Sequence, residues 1–595
     1  MPYRLSAQFL TDANGRRLAD AAGPRIEAAA RYYRARDHVA AAQVCDAILE
    51  QEPEHFDAMH LRGVLYLDTQ KPEEALDYLR RAEPLHPDDP QLWFHIGNAL
   101  LALRRYDEAV EACRRSLVLR PDDVDTLNNL GNALSNSLRY EEAIACFRQA
   151  LAIRPDAPPV RYNLGRAFAA VDRLEEAVDS FRAALTLIRP DTEPARLIDL
   201  HNSLGEVLIQ LGRYDEALDV CRLAPAAIAD APSIRWNESL TLLMLGDYAE
   251  GWRKYECRFL VPEHDPPRAG AAAVDLAAVA GQRVLVFPEQ GRGDMIQFAR
   301  YLPLLAAHGA HVVVEMYPEL KPLFETIDGV THVVTPDDAM PDHDRLTPLL
   351  SLPLAFGTVL GNIPAQVPYL RAPDAYKTRW AERLGPRTRR RIGIVWWGAQ
   401  HIPRRSMRLA TLAPVLELPG LEFHALQKDI PQPDRNWLLP SSAPKPDTPR
   451  HPLLSHCVFA VHDAGEAVRG AEESNSSAPG TTHPLVTDHS AALEDFADTA
   501  ALIGHMDLVI SIDTSVAHLA GALGVPVWIM LASSPDWRWL RDRDDSPWYP
   551  SARLFRQARR GDWDDVVRRV AAALSIERFK YQIEGDQHGV VAADQ

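Results

Sequence analysis

The feature that most constrains this chain is a period of 34 residues. Gly63, Gly97, Gly131 and Gly165 recur at that spacing, and so do Ala75, Ala109, Ala143 and Ala177. Two more columns keep the step: Leu79, Cys113, Phe147 and Phe181, then Ala82, Ser116, Ala150 and Ala184. Pro53, Pro87, Pro121 and Pro155 close successive units. Such a period means one supersecondary unit used repeatedly, each unit burying its apolar face against the next. The small residues let two antiparallel helices approach closely, and the proline ends the second helix. Ala41, Cys45 and Pro53 fit an earlier unit from about residue 22. Downstream, Leu211-Gly-Arg-Tyr-Asp-Glu-Ala217 repeats the turn at Leu103-Arg-Arg-Tyr-Asp-Glu-Ala109, and Leu245-Gly-Asp-Tyr-Ala-Glu-Gly251 repeats it again. The period slips between Ile188 and Leu197. The array is expected to hold roughly seven units over 22–260.

These columns resemble the tetratricopeptide pattern, which implies an α-helical solenoid with a curved groove. Such a groove recognises a protein or peptide partner, or serves as a spacer or dimerisation element. Of the six cysteines, Cys45, Cys113, Cys146 and Cys221 fall near one place in the repeat. They read as small core residues, and none has metal-ligand spacing. The net charge of −18 argues against nucleic-acid binding through a general basic surface. With no apolar h-region at the start and no apolar run of membrane-spanning length, the expected location is the cytoplasm.

The pattern changes after a joint at 261–281, where Pro, Ala and Gly accumulate. Arg283–Phe287 reads as a buried strand, and Pro288-Glu-Gln-Gly-Arg-Gly293-Asp294 as a glycine-containing loop. A helix over Met295–Ala307, a strand at His311–Glu315, a helix over Leu320–Ile327 and a strand at Thr331–Val334 follow. Alternation of this kind implies a parallel sheet covered on both faces, here an N-terminal half over 282–375. Asp294 stands at the start of a helix. A carboxylate there either caps the helix or takes a proton from an acceptor hydroxyl.

The second half spans 376–578. Arg391–Trp396 is a strand, followed by a polar loop whose Arg404, Arg405 and Arg408 either bind a diphosphate or lie in solvent. After a short helix over Leu409–Leu418, the strand from Leu421 ends on Gln427 and Lys428, the ligand side of an open α/β sheet. Residues 431–484 read as a mobile insertion with one strand-like piece, Cys457–His462. A helix over Ala492–Ile503 leads to the strand Leu508–Ile512 and then Asp513-Thr514-Ser515-Val-Ala-His518. This polar set sits where a strand passes into a helix, a place that suits a phosphate; the alternative is that Asp513 or Thr514 caps the helix. Val525–Leu531 is the next strand, Asp562–Leu574 a closing helix, and 579–595 a tail.

Gln290-Gly-Arg-Gly-Asp-Met-Ile-Gln, Ile392-Gly-Ile-Val-Trp, Ala425-Leu-Gln-Lys-Asp and Ile512-Asp-Thr-Ser-Val-Ala-His-Leu-Ala-Gly resemble bacterial tetratricopeptide proteins with a C-terminal glycosyltransferase domain. That domain is similar to the heptosyltransferase family (family 9). The resemblance implies a GT-B module of two Rossmann-like domains after the solenoid. It implies inverting, metal-independent transfer from a nucleotide-sugar to a hydroxyl of a protein or glycan, with no cofactor. Asp294 matches the proposed general base. Asp513, Thr514, Ser515 and His518 would lie at the donor, as would Gly293, Arg405, Gln427 and Lys428. The loop after Trp396 departs from the Ser-Gly-Asn-Pro usual in relatives, reading Trp397-Gly-Ala-Gln-His with Arg405-Ser406 retained. The departure leaves a second reading, a non-catalytic scaffold with a degenerate transferase domain.

Overall fold

A computed structural model describes residues 23–189, 192–261, 268–398, 403–438 and 486–591. The chain divides into two compact units after Glu238.

The first unit is a helical solenoid, with twelve helices from Gly23–Arg34 to Tyr214–Arg222 followed by the start of Pro232–Leu245. One repeat shows why this sequence folds so. The helix Val124–Asn136 begins at Asp123, whose carboxylate accepts from the Thr126 N–H at 3.2 Å. It packs on Tyr140–Ile153 across Gly131, where an added Cβ would stand 2.4 Å from the Phe147 ring. The column of glycines is therefore set by the large residues opposite them. Arg36, Gln70, Arg104, Leu138 and Asp172 all turn the chain with φ between 58° and 66°, one per repeat. Four of the second helices open on an Arg–Glu pair: Arg105–Glu108 at 2.6 Å, Arg139–Glu142 at 2.7 Å, Arg213–Glu216 at 2.6 Å and Arg173–Glu176. Successive first helices are joined by polar pairs 35 residues apart: His60–His95 at 2.8 Å, Asn128–Asn163 at 2.9 Å and Asn202–Asn237 at 2.8 Å.

The second unit begins earlier than the expected end of the array at 260. The helix Tyr248–Tyr255, read from sequence as a repeat element, packs within it. Trp252 meets the Trp537 ring edge-on at 5.2 Å, and Tyr248 Oη accepts from the Trp548 indole at 3.1 Å.

Two parallel sheets follow. The first contains β1 (Arg283–Phe287), β2 (His311–Glu315), β3 (Val330–Val334) and β4 (Arg345–Pro348), in the order β3-β2-β1-β4. The second contains β5 (Arg390–Val395), β6 (Leu421–Ala425), β7 (Leu508–Ile512), β8 (Val527–Leu531) and β9 (Ala552–Arg556), in the order β6-β5-β7-β8-β9. All pairings between these strands are parallel. The central strands are buried along most of their length, as a sheet covered on both faces requires. In the first sheet the order reverses between β1 and β4, and in the second between β5 and β7. Loops leaving the carboxyl ends of such strands splay apart and open a crevice.

Several elements differ from the sequence reading. β4 and β9 were not expected. The Met295–Ala307 helix is broken: Arg292–Phe298, a 3-10 turn at Ala299–Tyr301, then Leu302–Ala307 with Pro303 in its first turn. The Leu409–Leu418 helix shrinks to a 3-10 turn and Ala413–Leu416, again with a proline at the start. The expected insertion opens with a helix, Gln432–Leu438. The rest of it, including Cys457–His462, lies outside the described residues. The closing helix runs from Trp563 to Val591, through most of the stretch read as a tail.

Candidate functional site

The loop after β1 and the loops after β5, β6, β7 and β8 line one cleft of about 1090 Å³ within the second unit. One wall is the loop after β1. Gln290 holds a φ of 58°, and its carbonyl accepts from the Tyr317 hydroxyl at 2.9 Å. Gly291 N–H donates to Asp294 Oδ2 at 2.8 Å. Asp294 therefore ties the loop to the first turn of its helix, as a cap would. Its other oxygen, Oδ1, is paired with Arg538 Nη2.

The opposite wall comes from the second sheet. Thr514 is the N-cap of the helix Ser515–Ala522, but no side chain caps that helix. The capping alternative for Asp513 and Thr514 is thus excluded. Thr514 Oγ1 lies 3.2 Å from Ser511 Oγ. The N–H groups of Ser515 and Val516 have no acceptor among the described residues. Asp513 is buried, and its Oδ2 has no hydrogen-bond partner among the described residues. The nearest cation to that oxygen is Arg405 Nη1 at 3.5 Å.

Arg405 and Arg538 knit the walls together. Arg538 donates from Nε to Gln297 Oε1 at 2.5 Å and from Nη1 to Asp536 Oδ1 at 2.7 Å. Arg405 Nη2 stands 3.9 Å from the other oxygen of Asp536. The result is a row of alternating charge: Asp294, Arg538, Asp536, Arg405, Asp513. The two arginines differ in exposure: the Arg538 side chain is 7% exposed and the Arg405 side chain 33%. Burial pushes the carboxyls of Asp294 and Asp513 up from the usual range, and the guanidiniums offset only part of that rise. Burial acts the same way on Asp536, but Arg538 and Arg405 together hold it below.

The remaining predicted residues divide by what they touch. His518 Nδ1 lies 2.9 Å from Tyr549 Oη, and its ring stacks on Trp539 at 5.2 Å. Burial lowers its pKa to about 3, so it is a neutral imidazole and offers no charge to a phosphate. At Gly293 an added Cβ would meet His518 Cδ2 at 3.1 Å and Ser515 Cα at 3.5 Å. The glycine is thus what lets the two helix starts meet. Gln427 is spent on backbone: Oε1 accepts from Trp396 N at 3.0 Å and Trp397 N at 3.2 Å, and Nε2 donates to Asp429 O at 2.9 Å. It shapes the loop after β5. Lys428 Nζ donates to Glu494 O at 3.1 Å while its side chain stays exposed at the rim. Ser406 Oγ accepts from Gly398 N at 3.0 Å and braces the shortened loop, whose residues 399–402 lie outside those described.

Sequence reasoning missed Arg538 and Asp536. The available signal was Trp537-Arg-Trp after the buried run of β8, a charged residue between two large aromatics. Among the described residues, no group of three or more His, Cys, Asp or Glu is arranged to hold a metal ion. No helix there is long and apolar enough to cross a membrane.

Comparison with known proteins matches the array. Models of the tetratricopeptide repeat fit residues 32–96, 89–156, 128–192 and 199–232. Protein FlbA of Caulobacter vibrioides is 27% identical over 399 residues, 62% of this chain and 59% of that protein. The chain thus spans less than two thirds of the curated relative it matches. Among solved structures, MamA of Desulfovibrio magneticus is 25% identical, covering 28% of this chain and 90% of its own, with a TM-score of 0.26. YrrB, described as a tetratricopeptide protein with an unusual peptide-binding site, is 23% identical, covering 28% and 86%, with a TM-score of 0.26. The N-terminal region of this chain is a tetratricopeptide-repeat region.

Proposed function

We propose that this chain is a glycosyltransferase whose array holds a protein partner and whose cleft binds a nucleotide-activated sugar. Protein interaction through the repeats is the better-supported part, since the family matches fall there. A partner held on the same chain meets the cleft at high effective concentration, which suits transfer to its hydroxyls.

The observation that carries the transfer reading is the pairing of two unlike walls in one cleft. One presents the free Ser515 and Val516 N–H groups and the half-exposed Arg405, which together suit a diphosphate. The other presents Asp294, a carboxylate whose basicity burial raises above the usual range. In the reaction, the acceptor oxygen bonds to the anomeric carbon as the bond from that carbon to the diphosphate oxygen breaks. The hydroxyl proton passes to Asp294. Arg405 and the helix N–H groups take up the charge left on the nucleoside diphosphate.

A specific observation favours the second reading, a tetratricopeptide scaffold without catalysis. Asp294 is engaged at both oxygens, by Gly291 and by Arg538. The ion row also holds three carboxylates against two guanidiniums, one negative charge in excess. A panel of UDP-, GDP-, CMP-, ADP- and dTDP-sugars, screened by thermal shift and by nucleotide release, separates the two. A donor that stabilises the protein and loses its nucleotide supports transfer. Neither binding nor release by any member leaves the scaffold.

A further inference from the structure

Two arginines share Asp536, and their surroundings assign them different work. Arg405 approaches its carboxylates at 3.5 and 3.9 Å and keeps a third of its side chain exposed. Among the described residues it makes ion pairs without close hydrogen bonds, so its donors remain available. Arg538 is engaged on every nitrogen, with three of its five N–H donors used. Nε holds Gln297, Nη1 holds Asp536 and Nη2 holds Asp294, with Trp537 and Phe298 rings flanking the guanidinium at 4.3 and 5.7 Å. Gln297 and Asp294 lie on the helix after β1, while Arg538 and Asp536 lie beyond β8. The guanidinium therefore spans from one sheet's helix to the other sheet's loop. A planar fork held at three nitrogens by three partners cannot turn to a new ligand without leaving a buried carboxylate unpaired.

We infer that Arg538 is the positioning residue of this cleft, fixing the Asp294 carboxylate from the opposite wall, while Arg405 is the residue that grips the anionic ligand. The inference rests on the transfer reading for its activity tests and stands apart from it in the stability test. Arg538 sets which oxygen of Asp294 is engaged and how the carboxylate faces the cleft; it does not touch substrate. The groups facing Asp294 are the Gly291 N–H, Arg538, Asp536, Arg405 and the Tyr255 hydroxyl.

The experiment compares Arg538→Met, Arg538→Lys and Arg405→Met in the full-length chain. With the sugar donor that the panel identifies, Arg538→Met should lower kcat by about 100-fold, the usual cost of a misplaced catalytic group, with donor KM changed less than about threefold. Arg405→Met should do the reverse and act on donor KM. Removing Arg538 takes away a charge that holds Asp294 down, so the acid limb of the kcat profile should move to higher pH. Arg538→Lys should restore the limb and only part of kcat, since a point charge replaces the fork. A loss confined to KM in Arg538→Met, or an unmoved acid limb, overturns the assignment. If the wild-type chain transfers no sugar, the transfer reading fails, and a second measurement still decides the pairing. Thermal melting of Arg538→Met, Asp294→Asn and the double variant should be non-additive, with the double variant melting no lower than Arg538→Met. Additive shifts overturn the inference whatever the activity.

Discussion

The two units use the same kinds of bond over different distances along the chain. In the array, polar pairs between successive first helices recur at a separation of 35 residues. The ion pairs that open the second helices are three residues apart. In the α/β unit, Arg538 reaches Asp294 across 244 residues, Arg300 reaches the Trp548 carbonyl across 248, and Trp548 reaches Tyr248 across 300. The array is built of near-neighbour contacts that repeat, so a fault in it stays local and its stability is close to a sum over repeats. The α/β unit depends on single long-range contacts that occur once. Its cleft exists only when both sheets are in place.

The comparison breaks most sharply at Asp294. Asp294→Asn keeps an oxygen for Gly291 but offers no charge, and should lower kcat by roughly 10²–10⁴-fold. Nucleotide binding by calorimetry should be unchanged. Transfer at the wild-type rate would reduce Asp294 to a loop cap. Next in size is the array core. Phe147 is fully buried, and Phe147→Ala should cost about 3–5 kcal/mol in denaturant unfolding of the array. Hydrogen exchange should rise in the adjoining repeats and not in the α/β unit. Equal loss of protection in both units would end the distinction between local and long-range construction.

A smaller effect of opposite sign is expected at Asp513. Its carboxyl is raised by burial, with only partial relief from Arg405. The folded state therefore binds the proton more tightly than the unfolded state, and the ionised group costs stability above its folded pKa. Asp513→Asn should stabilise the α/β unit by about 1 kcal/mol at pH 7. That gain should shrink as acid protonates Asp513 in the wild type. A gain that grows in acid would reverse the sign of the argument. Smallest of all, Arg139→Ala removes an exposed ion pair with Glu142 and should leave the melting temperature within error.

How much of the site was legible differed residue by residue. Asp294 and Asp513 stand out because each follows a buried strand and begins a helix, and the structure brings both to one cleft. Thr514 and Gln427 lie in the expected loops, and the structure adds bonds within the chain that the sequence did not show. Which backbone N–H a side chain satisfies depends on the path of the neighbouring strand, and Gln427 answers to Trp396 on β5's extension. His518 looked like a polar ligand from its neighbours in sequence. Its partners, Tyr549 and Trp539, come from beyond β8 and turn it into a buried neutral ring. Trp537-Arg-Trp marks Arg538 out in the sequence but not its role, since Gln297 and Asp294 lie on the other sheet's helix.

The sequence by itself determined the solenoid, its step and its small-to-large packing columns. Each repeat touches only its neighbours, so periodicity contains the whole instruction. It also determined the alternation of strand and helix that makes two parallel sheets. Only the tertiary structure decided strand order, the late strands β4 and β9, and the inclusion of the Tyr248–Tyr255 helix in the second unit. It alone decided the row of charge from Asp294 to Asp513. Charges buried in a row are set by what burial leaves unpaired, and burial is a property of the assembled sheets, which no local stretch of chain encodes.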